Sequence, residues 1–232
     1  MTSETGTTNV KRLFDVGAHF AQVKSRRHPS MKPFIAGAKG RVEIIDLAKS
    51  VAQLDEAKRA METLARDGKT ILMVGGKPEI ASIIKDAATK IGQFYVSTRW
   101  LGGTISNFTE IKKRIDRLAA LKEERESGAL AKRHTKLELV FLAREEERLS
   151  TRLDGIAGMQ TRPDALVIVD TKYERHAVKE AQSAHIPIIG IMSSDCNIAD
   201  AAYPVVLNDA SRETVRLALA ELTEAFARGR TS

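Results

Sequence analysis

The sequence predicts an α/β protein, a doubly wound and mostly parallel sheet with an inserted pair of long helices and a basic N-terminal arm. Three observations lead there. Short apolar runs alternate with amphipathic stretches of helical period on both sides of the chain's middle. Between residues 104 and 154 the strand signals stop and a narrow apolar stripe replaces them. Residues 1–41 carry six of the seven net positive charges of the 232-residue chain.

Each element follows in order. Residues 1–9 are polar, and a short helix is expected from Val10 to about Phe20, ahead of the arm. Val42–Asp46 reads as a strand. Leu47, Val51, Leu54, Ala57, Met61 and Leu64 recur at spacings of three and four, an amphipathic helix that Asp67-Gly68 ends. Thr70–Gly75 is apolar without alternation, as a strand buried on both faces should be. Lys77–Ile91 is the next helix, with Pro78 in its first turn, and Gln93–Ser97 the next strand. Ile105, Phe108, Ile111, Ile115, Leu118 and Leu121 then form a coiled-coil stripe. Ser127-Gly128 marks its turn, and Leu139, Leu142, Leu149 and Leu153 form the returning stripe, with Glu146 where an apolar residue is expected. Such a pair makes an antiparallel hairpin. Afterwards Ala165–Asp170 and Pro187–Met192 read as buried strands around a helix at Glu174–His185. Pro204–Leu207 reads as an edge strand, since proline cannot donate to the ladder, and Ser211–Arg228 as the last helix. The expected division is a basic arm and short helix at 1–41, a sheet domain at 42–103 and 155–232, and a hairpin insertion at 104–154. The sheet is of the flavodoxin-like or Rossmann-like kind.

Composition narrows the function. A hydrophobic fraction of 43% is enough for a sizeable core, while aromatics at 5% are few for a ligand site walled by rings. No apolar run is long enough to span a bilayer, and no positive stretch followed by an apolar one marks a secretory signal. The single cysteine, Cys196, excludes an intramolecular disulfide and a cysteine zinc site. A cytoplasmic protein, or one in an organelle derived from a cytoplasm, is expected.

The charged arm is the strongest functional signal. Lys11, Arg12, Lys24, Arg26, Arg27, Lys32, Lys39 and Arg41 stand against only Glu4 and Asp15, whereas the rest of the chain is nearly neutral. An excess confined to one segment is an address for a polyanion. Its densest part interleaves cations with His28, Phe34, prolines and glycines: cations bind phosphates and flat groups stack on bases. A solvated arm would show the same charge. Residues 104–153 have 12 basic and 9 acidic residues, so most of the hairpin's charge is a solvated face, with Lys112-Lys113-Arg114 the best exception.

Other motifs point less sharply. Val74-Gly75-Gly76-Lys77-Pro78 joins a strand to a helix, where α/β proteins bind phosphates, but it lacks a complete phosphate-binding fingerprint, and a tight turn explains it. Cys196 with His176 or His185 lacks a local context that would position a base, and a lone cysteine is usually a small buried hydrophobe. His19, Asp195 and Asp200 match no ligand spacing, and Asp170 can cap the turn after its strand. No metal, cofactor or catalytic residue is expected. Arg99-Trp100-Leu101-Gly102-Gly103-Thr104 holds the only tryptophan, at the junction of sheet and hairpin. Trp100 and Leu101 can anchor the hairpin, Gly102 and Gly103 let the backbone turn, Thr104 can cap the following helix, and Arg99 can reach a phosphate.

Together these strings resemble the bacterial-type small-subunit ribosomal protein S2 family. The residues that carry the resemblance are Gly17-Ala18-His19-Phe20, His28–Ile35, Asp46–Ser50, Arg99–Gly103, Pro163–Asp170, Glu174, Ala177–Ala181 and Ile186-Pro187, in that order. The resemblance runs from about Phe14 to Arg228. It implies a structural constituent of the small ribosomal subunit that supports assembly and translation, with no catalysis and no cofactor. It implies 16S-type rRNA and other small-subunit proteins as partners, including a large acidic RNA-binding one of the S1 type, with no membrane and no small-molecule substrate. The RNA-binding set expected on this basis is Lys11, Arg12, Lys24, Arg26, Arg27, His28, Lys32, Lys39, Arg41, Arg99, Lys112, Lys113 and Arg114. The alternative is an α/β nucleotide-binding enzyme using the Gly75-Gly76 turn.

Overall fold

A computed structural model describes residues 2–128 and 134–231. Lys132 and Arg133, counted in the hairpin's charge, lie outside the described residues. Five strands form one parallel sheet: β4 (Ile71–Val74), β5 (Phe94–Val96), β6 (Ala165–Val169), β7 (Ile188–Met192) and β8 (Tyr203–Val206). Their order is β5-β4-β6-β7-β8. The chain reverses direction across the sheet between β4 and β6, as in doubly wound folds whose ligand crevice lies at that point. Successive residues of β6 feed opposite cores. Ala165, Val167 and Val169 enter one cluster, whereas Leu166 and Ile168 enter the other. This is the period of a strand buried on both faces. Proline is tolerated in β8 because β8 is an edge strand.

The first core is closed by α2 (Leu47–Arg66), α3 (Ala81–Lys90) and α7 (Arg212–Thr231), through residues such as Met61, Ile84, Leu222 and Phe226. Asp46 caps α2 by accepting from the Ala48 N–H at 3.1 Å. The other core is closed by α4 (Phe108–Glu126) and α6 (Arg175–Ser183). Phe108, Ile111, Ile115 and Leu118 share that cluster with Leu72, Val74, Leu166 and Ile168 of the sheet. α5 (Lys136–Leu153) lies against α4 through Arg117–Glu145 at 3.2 Å and Arg125–Glu146 at 2.7 Å. Glu146 therefore stands in an apolar seam because a guanidinium neutralises it there. Along α5, Leu137, Val140 and Phe141 stay exposed.

Several boundaries differ from the expectation. α1 spans Thr2–Asp15 rather than starting at Val10, and Phe20 opens a strand instead of ending the helix. Gly17, at φ 74°, turns the chain in between. Pro78 lies in a turn ahead of α3, because helical bonding begins only at Ala81. The arm is not an extended tail. β1 (Phe20–Val23), β2 (Ile35–Lys39) and β3 (Val42–Ile45) form a small antiparallel sheet in the order β1-β3-β2. β3 joins it, not the parallel sheet, because only Gly40-Arg41 separates it from β2 and a parallel neighbour needs a long crossover. Gly40, at φ 65°, makes that turn.

The small sheet docks over the C-terminal ends of β7 and β8. Met31 and Ile45 pack with Met192, Cys196 and Val206. The His28 N–H donates to the Ser194 carbonyl at 2.8 Å, and the Ile198 N–H donates to Ser30 Oγ at 3.1 Å.

Candidate nucleic-acid interface

The arm's sheet sorts its cations into two sets. The turn between β2 and β3 carries Lys39 and Arg41, and the Lys24 N–H donates to the Arg41 carbonyl at 3.3 Å. Lys24 and Arg26 thus stand beside the turn. With Lys11 and Lys32 they are exposed and have no ion-pair partner among the described residues. The other three expected residues have structural partners. Arg12 pairs with Glu221 at 2.9 Å. Arg27 pairs at 2.7 Å with Glu43, whose side chain is 3% exposed. The His28 ring accepts from the Ser30 N–H and meets Ser30 Oγ at 2.8 Å, which fixes the turn that follows it.

The junction at Arg99–Thr104 is held by one residue that sequence patterns give no role. Glu180 on α6 accepts from Trp100 Nε1 at 3.2 Å, Gly103 N at 2.8 Å and Ile105 N at 3.0 Å. It also accepts from Ser106 N at 3.2 Å and Ser106 Oγ at 3.3 Å. Burial alone would raise its pKa, but these donors outweigh burial and hold the carboxyl below its ordinary value. Gly103, at φ 92°, lets the backbone turn its N–H groups onto this carboxylate. Thr104 does not cap the hairpin helix. Its hydroxyl donates back to the Leu101 carbonyl at 2.7 Å, because α4 starts only at Phe108. Trp100 is 7% exposed and packs in the cluster below, while Leu101 packs at its edge. Gly102 lines the open cleft on the outer side of the turn.

Helices α4 and α5 contribute a second basic region. A groove of about 570 Å³ runs between α4 and α5. Arg114, Arg148 and Arg152 line it, exposed and without an ion-pair partner among the described residues. Lys112 pairs with Asp116 at 3.3 Å and donates to Gln160 Oε1 at 2.8 Å, and Lys113 pairs with Glu110 at 2.7 Å. Of the Lys112-Lys113-Arg114 run, Arg114 alone presents an uncompensated charge. Arg148 and Arg152 were missed because their convergence on Arg114 exists only once the two helices pack. Their i, i+4 spacing on one helix was the available signal.

The ends of the parallel strands hold a buried polar cluster. Lys77 pairs with Asp170 at 2.5 Å and lies 3.8 Å from Asp209, which is 2% exposed. Burial, then the Asp170 charge, push the Asp209 pKa up to about 7, although Lys77 opposes this. The Cys196 thiol is pushed up to about 12 by burial and both carboxylates, so it is no nucleophile. Asp170, Cys196 and Asp209 place ligand-type atoms within 4.8 Å of one another. The Lys77 ammonium already stands among them as the neutralising cation, and the thiol is protonated. The triple His19, Asp195 and Asp200 is not built as a site. His19 stacks on Phe14 with centroids 4.3 Å apart, and Asp195 pairs with Lys172 at 2.9 Å.

The Gly75-Gly76 turn has an internal occupant. The Gly76 N–H, where a phosphate oxygen would dock, donates instead to Glu174 Oε1 at 2.7 Å. A β-carbon on Gly76 would stand 2.6 Å from the Thr98 carbonyl oxygen and 2.8 Å from that carboxylate. The glycine is there for close approach, not for positive φ.

The chain is an α/β protein that fills its own Gly75-Gly76 turn and displays, among the described residues, exposed unpaired cations between Lys11 and Arg41 and along α4 and α5. The family model for Ribosomal protein S2 matches residues 13–229. The small ribosomal subunit protein uS2 of Synechococcus elongatus is 39% identical over 218 residues, covering 94% of this chain and 86% of that protein. The chain belongs to the ribosomal protein S2 family. It is a structural ribosomal protein and not an enzyme.

Proposed function

We propose that this chain is a constituent of the small ribosomal subunit that binds 16S-type rRNA and supports subunit assembly in the cytoplasm. The observation that carries the reading is the folded arm. Lys11, Lys24, Arg26, Lys32, Lys39 and Arg41 are exposed and unpaired among the described residues, and the arm's fold gathers Lys24, Arg26, Lys39 and Arg41 at one turn. Like charges held together repel one another unless a polyanion covers them, so this surface fits an RNA backbone. Arg114, Arg148 and Arg152 extend the surface onto the hairpin. Arg12, Arg27, His28, Lys112 and Lys113 support it from behind, by fixing the elements that carry the unpaired cations.

The hairpin at 104–154 serves as a wedge of defined shape rather than a source of net charge, which suits RNA recognised by its folded form. The partners are rRNA and neighbouring small-subunit proteins, including a large acidic RNA-binding protein of the S1 type, whose charge complements the basic face. Among the described residues no helix is long and apolar enough to cross a membrane.

Filter binding of the full chain to 16S-type rRNA across a salt series tests the reading. The expected result is saturable binding with a steep salt dependence. Replacing Lys24, Arg26, Lys39 and Arg41 by Ala should weaken it and reduce the slope by about 0.7–0.9 per lost phosphate contact. Binding that is absent, or unchanged in affinity and slope by these substitutions, refutes the reading.

A further inference from the structure

The docked arm covers the C-terminal ends of β7 and β8, but the crevice at the reversal between β4 and β6 stays open. It is a cleft of about 590 Å³. That volume lies within the usual range for small-ligand sites, roughly 300–1,000 Å³. Its inner wall is spoken for. Glu174 accepts from Gly76, and Glu180 is consumed by the Trp100–Ser106 turn. Its outer wall is different. Arg99, after β5, and His176 and Lys179, on α6, line the opening with exposed side chains that have no hydrogen-bond or ion-pair partner among the described residues.

Beside them stands Tyr173, which is 55% exposed. The backbone that carries it is held by a hydrogen bond. Asp170 adopts φ 63°, and its carboxylate accepts the Tyr173 N–H at 2.9 Å, so the turn presents the ring at the mouth. A flat exposed ring flanked by two unpaired cations is the chemistry of a single-stranded nucleotide: a base stacks on the ring and the phosphates meet the cations. A phosphate bound deep against the Gly76 N–H, as in a nucleotide enzyme, would have to displace the Glu174 carboxylate.

We propose that this cleft receives one unstacked nucleotide of the RNA, with its base on Tyr173 and its flanking phosphates on Arg99 and Lys179. The inference rests on the rRNA-binding reading above and adds a site to it. Arm and hairpin hold the backbone, while the cleft holds an extruded base.

The test uses the full chain and 16S-type rRNA in a salt series, with Tyr173→Ala, Tyr173→Phe and the pair Arg99→Gln/Lys179→Gln. Near-UV circular dichroism checks the fold of each; the side chains are exposed, so the fold should persist. Tyr173→Ala should weaken binding at least about five-fold, the low end for one stacked base, with no change in salt slope. Tyr173→Phe should bind like the parent. The cation pair should lower the slope by about 0.7 per lost contact, the single-strand value. If the parent binds and the arm substitutions weaken it, but all cleft variants match the parent, the cleft inference is overturned and the rRNA reading stands. If the parent does not bind, the rRNA reading itself fails and takes this inference with it. Free AMP and GMP form a separate arm. Saturable binding of either that Tyr173→Ala removes, with rRNA affinity unchanged, would assign the cleft to free nucleotides and overturn the proposal.

Discussion

Glu180 is the residue whose removal should be felt most at the junction. Its carboxylate takes five hydrogen bonds from the Trp100–Ser106 turn, and two donors, Trp100 Nε1 and Ile105 N, belong to residues that are 7% and 0% exposed. A buried donor left without an acceptor costs about 1–3 kcal/mol. Gly103 and Ser106 can turn to water, so Glu180→Ala should destabilise the protein by about 4 kcal/mol, from the two dry donors alone. Glu180→Gln keeps one oxygen for Trp100 and Gly103 but points an amide donor at the Ile105 and Ser106 N–H groups. About 2 kcal/mol is expected for it.

The pH dependence has a definite sign. The folded carboxyl titrates below its ordinary 4.5, so its stabilisation is present above that value and is lost as pH falls through the lowered folded value. Glu180→Gln should flatten that acid limb. Urea unfolding followed by the fluorescence of Trp100, the only tryptophan, reads the junction directly. A Glu180→Ala variant within about 0.5 kcal/mol of the parent, inside the usual range for surface substitutions, would refute this account of the turn.

Gly76→Ala should destabilise by about 1–3 kcal/mol through overpacking against the Thr98 carbonyl and Glu174, measured by thermal unfolding. Arg27→Ala should strand the buried Glu43 carboxylate and lower stability by about 3 kcal/mol in urea, whereas Arg26→Ala should leave stability unchanged and alter only RNA affinity. Asp209 has a folded pKa raised from 3.8 to about 7, so its contribution to stability is full below about 4 and is lost as pH rises to about 7. Asp209→Asn should remove that decline, as read from urea midpoints across the window.

The parallel sheet was legible because its strands are buried on both faces. Ile71–Val74, Ala165–Val169 and Ile188–Met192 are apolar runs too short for a buried helix and bounded by turn residues, as a strand covered on both faces requires. α2 was legible through its stripe and its Asp67-Gly68 stop, whereas the Asp46 cap emerges only in the structure. The arm's strands were not. β2 reads Ile-Ala-Gly-Ala-Lys and is mostly exposed, so no periodic burial marks it. Its pairing with β3 is set by a two-residue turn, a weak local signal. The candidate interface divided in the same way. Excess charge located the arm, but sequence could not tell Arg26, which has no ion-pair partner among the described residues, from Arg27, which a carboxylate 16 residues away consumes. Glu180 was invisible for the same reason. Its partners lie 74 to 80 residues earlier, and only the packing of α6 beneath the junction brings them together.

On the proposed reading, the folded arm attaches this protein to the small subunit through RNA. Sucrose-gradient sedimentation of a cell extract at low salt tests it most directly. The parent chain should travel with the small subunit, and the Lys24, Arg26, Lys39 and Arg41 to Ala variant, folded by circular dichroism, should shift toward the top of the gradient. A variant that stays with the subunit as firmly as the parent, or a parent that never leaves the top, would contradict the claim.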